Sequence, residues 1–113
     1  MVNFDKEVLK GYIDIILLSM LADRPKYGFE LAKQARETSG GSFEMKEATL
    51  YIALKRLEKQ GYATSFWEDS ISGGGRRKYY RLTEEGLARV RGKKQEWEYL
   101  KGMIDRFLKE VEL

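Results

Sequence analysis

Residues 47–61 read EATLYIALKRLEKQG, and the fold turns on how this stretch is wound. At about 100° per residue, Leu50, Ala53, Leu54 and Leu57 fall in one narrow sector, the spacing of a helix with one face on a core. The spacing predicts a helix over 47–60, closed by Gly61. Ala48, Ile52, Lys55, Arg56 and Lys59 lie on the far side, flanked by Thr49 and Tyr51. Small residues let a backbone approach, hydroxyls bond phosphates or bases, and Arg or Lys reaches phosphate or guanine, so this mixture suits a major groove. A plain solvated face also carries lysines, and Tyr51 equally suits packing with its hydroxyl at the surface. At this point both readings stand.

Downstream the pattern changes. Tyr62–Trp67 and Lys78–Leu82 are rich in aromatic and β-branched residues, and Ser70-Ile71-Ser72-Gly73-Gly74-Gly75 lies between them. Two strands around a glycine-rich turn predict a β-hairpin. Arg76, Arg77 and Lys78 at its base can lie along a phosphate backbone, though plain surface hairpins carry such runs too. A nucleotide-cradling loop is excluded, because the glycines open a strand rather than a helix and no P-loop signature is present. Thr83 then reads as an N-cap, with Glu84 and Glu85 in the first turn of a long final helix.

Upstream, Val8, Leu9, Tyr12, Ile13, Ile16, Leu17, Met20 and Leu21 keep a helical period, widened by Ile15 and Leu18. Pro25 ends that stretch. A second helix is expected over Tyr27–Glu37 with Phe29, Leu31, Ala32 and Ala35 as its apolar side, stopped by Gly40-Gly41. Helix, helix, helix, hairpin, long helix is a mainly α fold with a β-hairpin (α+β). It is the order of a winged helix-turn-helix domain over residues 1–82, followed by a helix over 83–113.

Composition narrows the function. With no cysteine and no histidine among 113 residues, disulfides, thiolate or imidazole metal sites and nucleophilic triads are excluded. No carboxylate pair lies on an apolar face that would raise a pKa. Neither enzyme, metal site nor cofactor is expected. The best apolar run, Ile13–Ala22, is interrupted by Asp14 and shorter than the ~20 residues of a membrane span, and no signal peptide is visible. A cytoplasmic protein with no membrane partner is the expectation. The formal net charge is +3, yet residues 46–82 carry eight basic and four acidic side chains while the flanking segments are balanced or slightly acidic. Placement of the positive excess on the third helix and hairpin marks a polyanion footprint.

The last helix carries a different signal. Val90, Trp97, Ile104 and Val111 recur every seventh residue, with Leu100 and Phe107 three places after Trp97 and Ile104. This is a coiled-coil-like seam, interrupted at Lys93. About 30 residues make a rod of ~45 Å, too long to bury against so small a domain. Pairing with a second copy is the simplest use of the seam; packing on the first helix is the other, and both can hold.

Three segments together resemble a known family. Glu47–Tyr51 continuing through Leu54–Tyr62 looks like the recognition helix of PadR-like transcriptional regulators. Gly74–Gly86 is similar to their wing and last-helix entry, and Tyr27-Gly28-Phe29-Glu30-Leu31 to the start of their second helix. One departure is Lys46, where relatives often have a polar capping residue. The resemblance implies a homodimeric repressor on a palindromic double-stranded operator, released by a small aromatic or hydrophobic molecule. Thr49, Tyr51 and Ile52 would then lie nearest the bases, with Lys55, Arg56, Arg76, Arg77 and Lys78 on the backbone. In a compact drug-sensing subgroup, a tryptophan placed like Trp97 stacks on planar aromatic compounds, in a channel also lined at positions matching Val8, Ile15 and Ser19. Lys101 stands where that subgroup often has an acidic residue. A tryptophan in a seam also serves as plain interface core, and a winged-helix domain also serves as a protein–protein module without an effector. Both alternatives stay open here.

Overall fold

The computed structural model describes residues 5–69 and 75–111. The glycine-rich turn expected over Ser70–Gly75 lies outside the described residues, apart from Gly75. Helices α1 (Ile13–Met20), α2 (Gly28–Thr38) and α3 (Glu47–Lys59) precede strands β2 (Ala63–Asp69) and β3 (Arg76–Leu82) and the long helix α4 (Glu84–Leu108). A two-residue strand β1, Lys26–Tyr27, completes an antiparallel sheet of order β1-β3-β2. The fold is thus mainly α with a small sheet and a long C-terminal helix, as the pattern of the sequence predicts.

The core explains why α3 sits where it does. Leu50, Ala53, Leu54 and Leu57 are all buried, and they meet Leu17, Leu18 and Leu21 from the α1 region and Leu31 and Ala35 of α2. Gly61, at φ 82°, takes the left-handed conformation after α3 that favours glycine. This lets the Tyr62 amide return to the Leu57 carbonyl at 3.0 Å, so the chain leaves α3 sharply and enters β2.

Two expectations need correction. The first helix is not continuous from Val8: residues Lys6–Gly11 form a 3-10 turn capped by the Asp5 side chain, and α1 begins only at Ile13. Gly11 interrupts the pattern where a helix would be weakest. Phe29 is not on the buried side of α2 but 68% exposed, because it stands about 160° from Leu31 on the helix.

Lys26 is a buried lysine, and its ammonium is fully engaged. It donates to the Met20 carbonyl, to Asp23 Oδ1 at 2.7 Å and to Gln34 Oε1 at 2.8 Å. One side chain thereby closes the open carbonyl end of α1 and ties it to α2. Lys26→Met keeps the stem but leaves the Met20 carbonyl and the Gln34 amide without that donor. A loss of about 1–3 kcal/mol in urea unfolding is expected.

α4 projects from this unit, and the longest dimension of the chain is 57 Å. Its start is clamped. The Thr83 hydroxyl donates to the Gly61 carbonyl at 2.6 Å and accepts from the Gly86 amide at 3.0 Å, while the Thr83 amide donates to the Tyr62 carbonyl at 3.1 Å. The corner that ends α3 therefore fixes the origin of α4.

Candidate nucleic-acid interface

The outward side of α3 is open. Thr49, Tyr51, Ile52, Lys55, Arg56 and Lys59 are all exposed, and Ile52 reaches 65%. Ile52 thus stands as an apolar group among the cations of this face, where it is available for contact. Lys55 and Lys59 form no ion pair among the described residues. Tyr51 leans on the first turn of α2: a Cβ added to Gly28 would lie 2.6 Å from its hydroxyl oxygen. Both sequence readings of Tyr51 therefore apply, since the ring packs while the residue stays 43% exposed.

Arg56 is already engaged within the chain. Its Nη2 and Nε donate to the two carboxylate oxygens of Asp14 in the first turn of α1, the second contact at 3.4 Å. That hydrogen bond holds the guanidinium above its ordinary pKa, against the opposing effect of burial. The partner lies 42 residues away in sequence, and nothing in the sequence pointed to it.

The hairpin separates its three cations. Successive strand residues point to opposite faces. Arg76 and Lys78 share a face with Tyr80, which is buried; burial first, then the nearby Glu58 carboxylate of α3 and Tyr51, push its hydroxyl pKa up. On the same face of β2, Ser65 donates to Glu58 and Trp67 lies under the Arg76 guanidinium, 5.5 Å from its ring centre. Arg77 is on the other face, stacked over Tyr27 at 4.6 Å, with Tyr79 and Phe66 beside it. The run Arg76-Arg77-Lys78 is thus not one cluster: two cations extend the face that packs on α3, and one covers an aromatic row behind it. Trp67 is a member of the front face that sequence reasoning missed.

The sequence profile of the transcriptional regulator PadR-like family matches residues 17–92, from α1 through the hairpin into α4. The chain belongs to the PadR-like family. A transcriptional regulator from Clostridium thermocellum is 39% identical and superposes with a TM-score of 0.83 over 94% of this chain and 99% of that one. A PadR family transcription regulator from hypervirulent Clostridium difficile R20291 is 47% identical, with a TM-score of 0.78 over 87% and 99%. An uncharacterised protein of Lysinibacillus sphaericus is 36% identical over 106 residues, 94% of this chain and 96% of its own length. As a PadR-like protein the chain is a DNA-binding transcriptional regulator with a winged helix-turn-helix, and not an enzyme.

The residues that the PadR resemblance assigns to a ligand are more dispersed. Trp97 is 48% exposed and meets the edge of Tyr12, centre to centre 5.5 Å. Val8 lies on the 3-10 turn and is 58% exposed; Ile15 and Ser19 are on α1, and Lys101 is exposed on α4. The Ser19 hydroxyl donates to the Ile16 carbonyl at 2.7 Å. An apolar groove of about 390 Å³ runs between α1, the end of α2 and Phe43, and of the five only Ser19 lines it. Along α4, Val90 packs against the core and Leu100 is partly covered, whereas Ile104 and Phe107 are exposed; the helix ends at Leu108, short of the expected course, so Val111, also exposed, lies beyond it. Among the described residues no helix is long and apolar enough to cross a membrane.

Proposed function

We propose that the chain acts in the cytoplasm as a homodimeric repressor on a two-fold symmetric operator. Residues 1–82 contact DNA and residues 83–113 pair the subunits. The observation that carries this reading is the continuity between α3 and one face of the hairpin. The outer face of α3 presents Ile52, Lys55 and Lys59, and the sheet face packed beneath it runs outward into Lys78, Trp67 and Arg76. Thr49, Tyr51 and Ile52 meet base edges, and the lysines and Arg76 hold phosphates. Arg77, on the rear face, contributes general positive potential only.

Exposed Ile104 and Phe107 in the last turns of α4, with Val111 just beyond them, support pairing, since large apolar groups together at the free end of a helix are unfavourable in water. Two-fold pairing places two α3 helices about 34 Å apart, the spacing of successive major grooves. Trp97, a half-exposed seam residue that meets Tyr12, is the place where a planar aromatic molecule would enter between subunits. Such a molecule releases DNA only if it prefers a different helix spacing. Sedimentation equilibrium tests the assembly. The wild type is expected as two chains, and as two chains per duplex of its own upstream DNA. Ile104→Glu/Phe107→Glu is expected to sediment as one chain and to lose at least roughly tenfold in DNA affinity, because each half-site is then bound alone. A double variant that stays dimeric overturns the role of the seam.

A further inference from the structure

Arg56 stands on the flank of α3, about 70° from the centre of its outer face. Asp14 holds it side-on, with one guanidinium nitrogen on each carboxylate oxygen. Both side chains remain well exposed, 46% for Arg56 and 40% for Asp14, so the pair is open to competition from solvent and from any anion that approaches α3. It is also the one ion pair among the described residues that occupies a cation of α3's outer side, since Lys55 and Lys59 have none. A carboxylate gripped by two parallel N–H bonds presents the same donor–acceptor geometry to a guanidinium as two oxygens of a phosphate do.

We propose that Asp14 is an internal stand-in for a DNA phosphate: it holds Arg56 in the free protein, and a backbone phosphate replaces it when α3 docks. Asp14 is then an affinity-setting residue that never needs to touch DNA. Docking must break the Arg56–Asp14 pair, and the released carboxylate faces the polyanion. Both effects weaken binding, so the chain holds phosphate contact in reserve. The proposal rests on the reading of α3 as the DNA face. The opposite role is a strut, in which Asp14 fixes the angle between α1 and α3 and DNA binding depends on its staying intact. The two roles give opposite signs.

The test is a fluorescence anisotropy titration of the full-length protein with a labelled duplex from the region upstream of its own gene, and with a shuffled duplex of equal length, over a series of salt concentrations. Wild type, Asp14→Asn, Asp14→Ser, Arg56→Ala and Asp14→Asn/Arg56→Ala are compared, with thermal melting of each. Asp14→Asn and Asp14→Ser are expected to bind roughly two- to fivefold more tightly, the range an exposed pair supplies. The slope of log affinity against log salt should stay near that of wild type in both Asp14 variants, because Arg56 meets the phosphate in every one of these complexes, and should flatten by about 0.9 per chain in Arg56→Ala. Most of the gain should vanish when Arg56 is alanine, leaving only the relief of repulsion between the Asp14 carboxylate and the polyanion. Unchanged or weaker binding by both Asp14 variants overturns the proposal, as does a gain that persists in full without Arg56, which would be a bare charge effect. If instead the wild type binds neither duplex, or binds without salt dependence and indifferently to Arg56→Ala, the reading of α3 as the DNA face fails, and the proposal with it.

Discussion

Gly86→Ala is expected to destabilise the protein by about 2–3 kcal/mol, although alanine is the better helix former by ~1 kcal/mol. Gly86 lies in the first turn of α4, and a Cβ built on it would stand 2.0 Å from the Tyr62 carbonyl oxygen and 2.7 Å from Leu82 Cδ1. The oxygen belongs to the backbone and already accepts the Thr83 amide, so it cannot swing aside as a side chain would. Relief requires α4 to lift from the corner that ends α3, breaking the contacts of Thr83 with Gly61 and Gly86. Gly102→Ala is the control, because nothing lies within 4 Å of its Cβ position; it is expected to be neutral or to stabilise by up to ~1 kcal/mol. Thermal unfolding followed by circular dichroism reads both, with the Gly86 variant melting about 10 °C lower. A Gly86→Ala melting point at or above wild type would mean that α4 does not rest on this corner. In the proposed dimer the site also matters for DNA binding, since α4 would carry the pairing seam and its origin is fixed to α3.

Arg76→Ala/Lys78→Ala is expected to weaken binding to the upstream duplex by roughly 10- to 100-fold, and Arg77→Ala by no more than about threefold. The difference follows from the two faces of β3. Arg76 and Lys78 extend the face that packs on α3, while Arg77 lies over Tyr27 on the rear. The proposed dimer has two wings, so the double variant would remove up to four phosphate contacts and should flatten the salt slope by about 3–4. Stability should barely change, because Arg76 is exposed and its contact with Asp69, at 4.0 Å, is weak. Equal losses from Arg77→Ala and from the double variant would refute this orientation of the wing.

These two cases also mark how far the sequence could be read. The α3 stripe was legible because Leu50, Ala53, Leu54 and Leu57 admit one period only, and Thr83 because a capping residue followed by two glutamates has a local cause. The separation of Arg77 from Arg76 and Lys78 was latent in the period of two, once β3 is known to begin at Arg76 and not at Lys78. The outward position of Phe29 was likewise latent in the helix wheel, and the break at Gly11 in the glycine itself. Other features had no local signal. β1 is two residues long, and its only reason to be a strand is its pairing with Tyr79 and Tyr80 of β3. The Asp14–Arg56 pair and the three acceptors around Lys26 depend on how helices cross, which no periodicity records. The close approach at Gly86 is of the same kind: a glycine in a helix reads as a weakness until the neighbouring carbonyl is in view.

Hydroxyl-radical footprinting of the full-length protein on the DNA upstream of its own gene tests most directly whether two α3 helices read successive major grooves. Two protected patches related by a two-fold axis, with centres one helical turn or about 34 Å apart, are the predicted result. They should be flanked by weaker protection that Arg76→Ala/Lys78→Ala removes. A single unpaired patch, or uniform protection that a shuffled duplex reproduces, would contradict it.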